Sequence, residues 1–117
     1  MKPQVLIVED NFLVAENLRD IVEIVLVAQP ITVSRVSDAL QVSHEGIALG
    51  LLDIELADGN CYPVARKLMD NRIPIIFLSG NQHSSLPMEF KDVPFLSQPV
   101  TTNHLVLLAK ALSSAFS

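Results

Sequence analysis

Apolar runs that stop on a polar or charged residue recur along the chain. The stretch "VLIVEDN" sets the pattern: four apolar residues, Val5–Val8, then Glu9 and Asp10. An uninterrupted apolar run of this length predicts a strand buried on both faces. Asn11 suits a helix N-cap, and the segment Phe12–Ala28 carries Leu13, Leu18, Ile21, Val22 and Val25 at helical spacing, which predicts one long helix. After Pro30, the alternating "ITVSRV" (Ile31–Val36) predicts a second strand. Ser37 is the expected cap of a short helix that Gly46 would end. "IALGLLD" (Ile47–Asp53) predicts a third strand, again closing on a carboxylate. The Asp-Gly step in "LADGN" marks a turn, and Tyr62–Asn71 predicts a helix with Pro63 in its first turn. "IPIIFLSG" (Ile73–Gly80) predicts a fourth strand. Asn81–Asp92 is polar and weakly patterned, so a loop with one or two helical turns is expected. A short fifth strand is expected within Val93–Pro99, followed by an amphipathic helix over Thr101–Phe116.

Strands alternating with helices at this spacing predict an α/β domain with a parallel sheet, covered on both faces. Ligands in that architecture sit outside the C-terminal strand ends. The residues placed there are Glu9 and Asp10, Asp53, Ser79 and Gln98. Three carboxylates meeting where strands one and three lie side by side would raise one another's pKa unless a cation joined them. Oxygen ligands open to water suit Mg²⁺ better than Zn²⁺. The competing reading is that Glu9 and Asp10 only favour the positive end of the following helix.

Composition narrows the choice. The chain has 117 residues, one domain's worth, with half of them apolar and 18% charged. The formal charge is −5 and the eight Lys and Arg are scattered, which argues against direct binding to nucleic acid or an anionic membrane. A single cysteine, Cys61, leaves no internal disulfide, and a reducing, cytoplasmic setting is expected. The N-terminus lacks the apolar core of a signal peptide, and no apolar run approaches the ~20 residues of a membrane span. Cys61 reads as a small residue in a turn rather than a redox centre. His44, His83 and His104 lack ligand spacing, and the four glycines fit no nucleotide-binding pattern.

In "VLIVEDN", "LLDIEL", "FLSG" and "PFLSQPV", and in their order, the chain resembles the receiver domain of two-component response regulators. The resemblance spans residues 1–117. It implies a flavodoxin-like (βα)5 fold with sheet order 2-1-3-4-5, here with a short or irregular fourth helix. It implies Asp53 as phospho-acceptor, served by a histidine kinase or histidine phosphotransfer protein. It implies Mg²⁺ held by Asp10, Asp53 and the backbone carbonyl of Glu55, with Glu9 acting directly or through water. It further implies Ser79 as the switch hydroxyl, Phe95 as the rotating aromatic, a cis Gln98–Pro99 bond and a downstream protein target. Part of the Leu105, Leu108, Ala109, Leu112 stripe is a candidate homodimer face. No output domain follows Ser117 in the sequence, so a receiver acting alone is expected.

Three departures from the family pattern matter. Gln98 stands where the family has Lys, keeping a donor but losing the charge. An ion pair at ~4 Å is worth up to about 4 kcal/mol at an effective dielectric near 20, and a divalent metal brings twice the charge. Phosphorylation is therefore expected to survive, but weakly coupled to strand five or short-lived. The loop after Asp53 reaches Gly59 two residues early, and Pro87 interrupts the fourth-helix region. Two other functions compete: a degenerate receiver that acts as a phosphorylation-independent interaction module, and a small phosphatase or phosphotransferase of the aspartyl-phosphate type. That enzyme class typically carries a second Asp, as general acid, two residues after its nucleophile, where this chain has Glu55.

Overall fold

A computed structural model describes residues 2–44, 46–79 and 86–116. Five strands form one parallel sheet: β1 (Gln4–Val8), β2 (Gln29–Val33), β3 (Ile47–Asp53), β4 (Ile75–Ser79) and β5 (Phe95–Ser97). Their spatial order is 2-1-3-4-5, as the resemblance implies. A two-residue ribbon, Glu55–Leu56 against Gly59–Asn60, fills the turn expected after β3, with Gly59 at φ 139°. Only glycine holds that conformation without strain.

Period-two alternation divides the strand residues between two cores. Val5, Ile7, Leu49, Leu51, Ile76, Leu78 and Leu96 face helices α1 (Phe12–Asp20) and α4 (Thr102–Leu112). Leu6, Val8, Leu52, Ile75 and Phe77 face α2 (Val36–Val42) and α3 (Tyr62–Asp70). A fully buried aliphatic side chain contributes about 1.5–3 kcal/mol, so both cores are needed to hold a sheet of this size. Gly50 lets α3 settle onto the sheet: a Cβ there would stand 2.7 Å from Leu68 Cδ1. No described helix is long and apolar enough to cross a membrane.

Several boundaries differ from the sequence reading. The first helix is α-helical only to Asp20. It continues as a π-helical segment, Ile21–Val25, in which Leu26 N–H donates to the Ile21 carbonyl at 3.1 Å. The stretch "IVEIV" is rich in β-branched residues, which crowd an α-turn and favour its loosening. Val27 then takes φ 51°, and Ala28 turns back into the core. Strand β2 runs over 29–33 rather than 31–36. Pro30 lies inside it, tolerated because β2 is an edge strand. Helix α2 starts at Val36 and ends at Val42, so neither Ser37 nor Gly46 bounds it. Its N-terminal amides are capped from elsewhere. Asp58 accepts from Val36 N–H at 2.9 Å and from Ser37 N–H at 3.2 Å.

Of the Asn81–Asp92 connection, residues 80–85 lie outside the described residues, and so do His83 and the glycine of "FLSG". The described remainder holds one 3-10 turn, Met88–Phe90. Phe90 is fully buried beside Tyr62 and Phe77, with ring centroids 5.2 and 5.5 Å away. Arg66 of α3 lies 5.7 Å above the Phe90 ring and pairs with Glu89 at 2.7 Å.

Candidate functional site

The sheet order reverses between β1 and β3, and the carboxylates gather at that point. Strand β1 ends at Val8, though Glu9 N–H still donates to the Val33 carbonyl of β2, at 3.0 Å, before the chain turns into α1. Asn11 caps that helix as its sequence suggests, its side chain accepting from the Leu13 and Val14 amides. The helix end is thus satisfied by Asn11, which leaves the acidic pair for another task. Strand β3 carries Asp53 as its last residue, paired in register with Leu78 of β4. One carboxylate oxygen from each of Glu9, Asp10 and Asp53 lies within 4.8 Å of the other two.

Glu9 is only 3% exposed, Asp53 is half-buried and Asp10 is exposed. Burial pushes the Asp53 carboxyl up to about 8. A hydrogen bond shared with Glu9 and the charges of Glu9 and Asp10 add to the rise, while the Glu55 amide opposes it. The shift favours the protonated form of Asp53 in the metal-free cluster. Oxygens on one octahedral Mg²⁺ stand ~3 to ~4.2 Å apart, given bonds of ~2.1 Å. A closure of well under 1 Å would bring the three oxygens to that spacing. All three donors are hard carboxylate oxygens, so the residues present fit magnesium.

Gln98 joins this cluster. Its side-chain amide donates to Glu9 Oε1 at 2.8 Å, and the Asn11 backbone N–H donates to Glu9 Oε2 at 3.2 Å. Its backbone N–H donates to the Ser79 carbonyl at 2.8 Å, and the Gln98–Pro99 bond is cis. Ser79 is buried at the end of β4, one residue beyond the partner of Asp53. Glu55 is exposed in the ribbon, with its amide on Asp53. Phe95 lies on the edge strand, 46% exposed. Cys61 is fully buried, its thiol pushed up to about 12 by burial and by Asp53, so no thiolate is available there. Among the described residues, neither His44 nor His104 joins a metal-binding cluster. The sequence reading assigned Gln98 its position but not its partner, and it missed Asp58 and the Arg66–Glu89 pair.

No family model and no curated protein matches the chain. Solved structures do. SdrG from Sphingomonas melonis Fr1 is similar with a TM-score of 0.81 at 37% sequence identity, over 95% of this chain and 96% of that one. A receiver domain (CheY-like) from Methanospirillum hungatei JF-1 shares the fold at TM-score 0.83 and 18% identity, over 95% and 93% of the two chains. The chain belongs to the response regulator receiver family. The BeF3-activated conformation of SdrG from Pseudomonas melonis Fr1 is also similar to this receiver: TM-score 0.75, 38% identity, 93% of this chain and 94% of that one. The three carboxylates of this receiver thus stand at the sheet's switch point, where ligands of such folds bind.

Proposed function

We propose that this receiver takes a phosphoryl group on Asp53 from a phosphohistidine of a histidine kinase or histidine phosphotransfer protein. In this reading residues 1–117 form one cytoplasmic receiver that signals through a downstream protein or through a second copy of itself. The observation that carries the reading is the convergence of Glu9, Asp10 and Asp53 within 4.8 Å. The ionised Asp53 oxygen attacks phosphorus, the P–N bond to the donor imidazole breaks with its electron pair returning to nitrogen, and an acyl phosphate forms. Catalysis of such a step is mostly positioning and charge neutralisation. Mg²⁺, when bound, would supply the neutralising charge. Asp10, Asp53 and the Glu55 carbonyl would hold it, with Glu9 direct or through water. The Ser79 hydroxyl would hydrogen-bond the new phosphoryl oxygens, and Phe95 would be the aromatic that turns inward in response.

A second reading, an interaction module that needs no phosphorylation, is favoured by one feature. Gln98 is neutral and already bonded to Glu9, so it brings no charge to a phosphoryl group. Incubation with Mg²⁺ and acetyl phosphate, followed by intact-mass measurement, separates the two. Addition of one phosphoryl group, absent in Asp53→Asn, supports the first reading. No adduct, with amide shifts at Ser79 and Phe95 unchanged, supports the second.

A further inference from the structure

The side chain of Gln98 does not reach for the phospho-acceptor. Among the described residues it donates to Glu9 Oε1, and the Asn11 backbone N–H donates to the other Glu9 oxygen. Glu9 is the most buried of the three carboxylates and accepts from both neighbours. A buried carboxylate with two donors is held in one orientation, and donors to a charged acceptor are the stronger kind. The backbone of Gln98 is fixed independently, by Ser79 on β4 and by the preceding β5 ladder. The ion pairs among the described residues, Arg19–Glu23 and Arg66–Glu89, involve none of the three carboxylates. A neutral amide satisfies Glu9 without competing with a metal for the cluster's charge.

We propose that Gln98 is a positioning residue for the metal: it holds Glu9 in its ligand orientation and carries occupancy of the acidic cluster, rather than the phosphoryl group, to strand five. This rests on the magnesium reading above. Groups that orient a metal ligand act on affinity through that ligand, and removing one typically costs 10- to 100-fold. A lysine at the same place would act differently. Its ammonium would compete with the divalent cation for the same carboxylates.

The test needs no phosphoryl donor at first. Mg²⁺ is titrated into isotope-labelled protein while the Gln98 side-chain NH2 and the backbone amides of Asp10, Asp53, Ser97 and Val100 are followed by NMR. The expected result is that the Gln98 NH2 and Val100 signals move together with those of Asp10 and Asp53. Beryllofluoride added afterwards should move Ser97 and Val100 much less than Mg²⁺ did. In Gln98→Ala, magnesium affinity should fall roughly 10-fold and the response at Val100 should vanish. In Gln98→Lys, affinity should fall at least as far, and the response at strand five should move from the Mg²⁺ step to the beryllofluoride step. If Asp10 and Asp53 respond to Mg²⁺ while the Gln98 NH2 stays silent, the proposal fails and the magnesium reading stands. If none of them responds, the magnesium reading itself fails. The wild-type Gln98 resonance decides the matter even if a variant does not fold.

Discussion

The two faces of the sheet are roofed by different means. On one, α1 with its π-helical extension and the 11-residue α4 lay aliphatic side chains over the strands. On the other, α2 has seven residues, α3 nine, and the described part of the β4–β5 connection contributes one 3-10 turn. That second face closes with aromatic rings and with polar ties between elements. Phe77, Phe90 and Tyr62 pack edge to face or tilted, Arg66 pairs with Glu89, Lys67 Nζ donates to the Leu40 carbonyl, and Asp58 caps α2. Long helices cover a sheet by area alone. Short ones need point attachments, and each attachment is a place where the cover can be loosened.

The comparison can be broken most decisively at Phe90. Phe90→Ala should cost about 3–5 kcal/mol in urea unfolding, since its fully buried ring packs on Tyr62 and Phe77 and truncation would leave a cavity between them. Leu105→Ala on the aliphatic face should cost about 2–4 kcal/mol, because long neighbours can partly collapse onto the space. A smaller loss at Phe90 than at Leu105 would reverse the argument. Gly50→Ala tests how tightly α3 is seated. The added carbon meets Leu68 Cδ1 at 2.7 Å, and a loss of roughly 1–3 kcal/mol is expected from the same unfolding curves.

At the rim where both faces meet, Asp53 gives a pH signature. Its folded pKa, about 8, lies above the ordinary 3.8, so the folded state holds the extra proton between those values. Its contribution is therefore present at pH 4 and lost as pH rises toward 8 in metal-free protein. Asp53→Asn should abolish that loss and be the more stable form at pH 8, by roughly 1–3 kcal/mol after allowance for solvent screening. Equal slopes of thermal midpoint against pH for the two proteins would contradict the assigned carboxyl environment. The smallest effect is expected at Arg66→Ala. The Arg66–Glu89 pair is exposed, so the change in midpoint should be below that of Gly50→Ala and should shrink as salt is raised.

Much of the site was legible beforehand for a physical reason. Strand β3 was expected over Ile47–Asp53 and is found there, because a continuous apolar run bounded by a glycine and a carboxylate leaves little freedom. Once strands one and three are neighbours, the rule that ligands bind at C-terminal strand ends brings Asp10 and Asp53 together. Helix termini were read less well. Asn11 acts on residues two and three positions ahead, and was found. Asp58 acts on residues 21 and 22 positions behind, and Gln98 on one 89 positions away, so only the folded geometry reveals them. The π-helical segment escaped because apolar spacing alone does not separate a five-residue wide turn from the α-turns around it.

The tie made by Asp58 has a practical consequence. It sits in the short ribbon whose first residue, Glu55, touches Asp53 through its amide, and its other end grips the first two residues of α2. A change that displaces the ribbon would alter the Val36 and Ser37 amides without any chemical label. The Val36 and Ser37 amides are thus two backbone signals that would report on the place of the ribbon following Asp53.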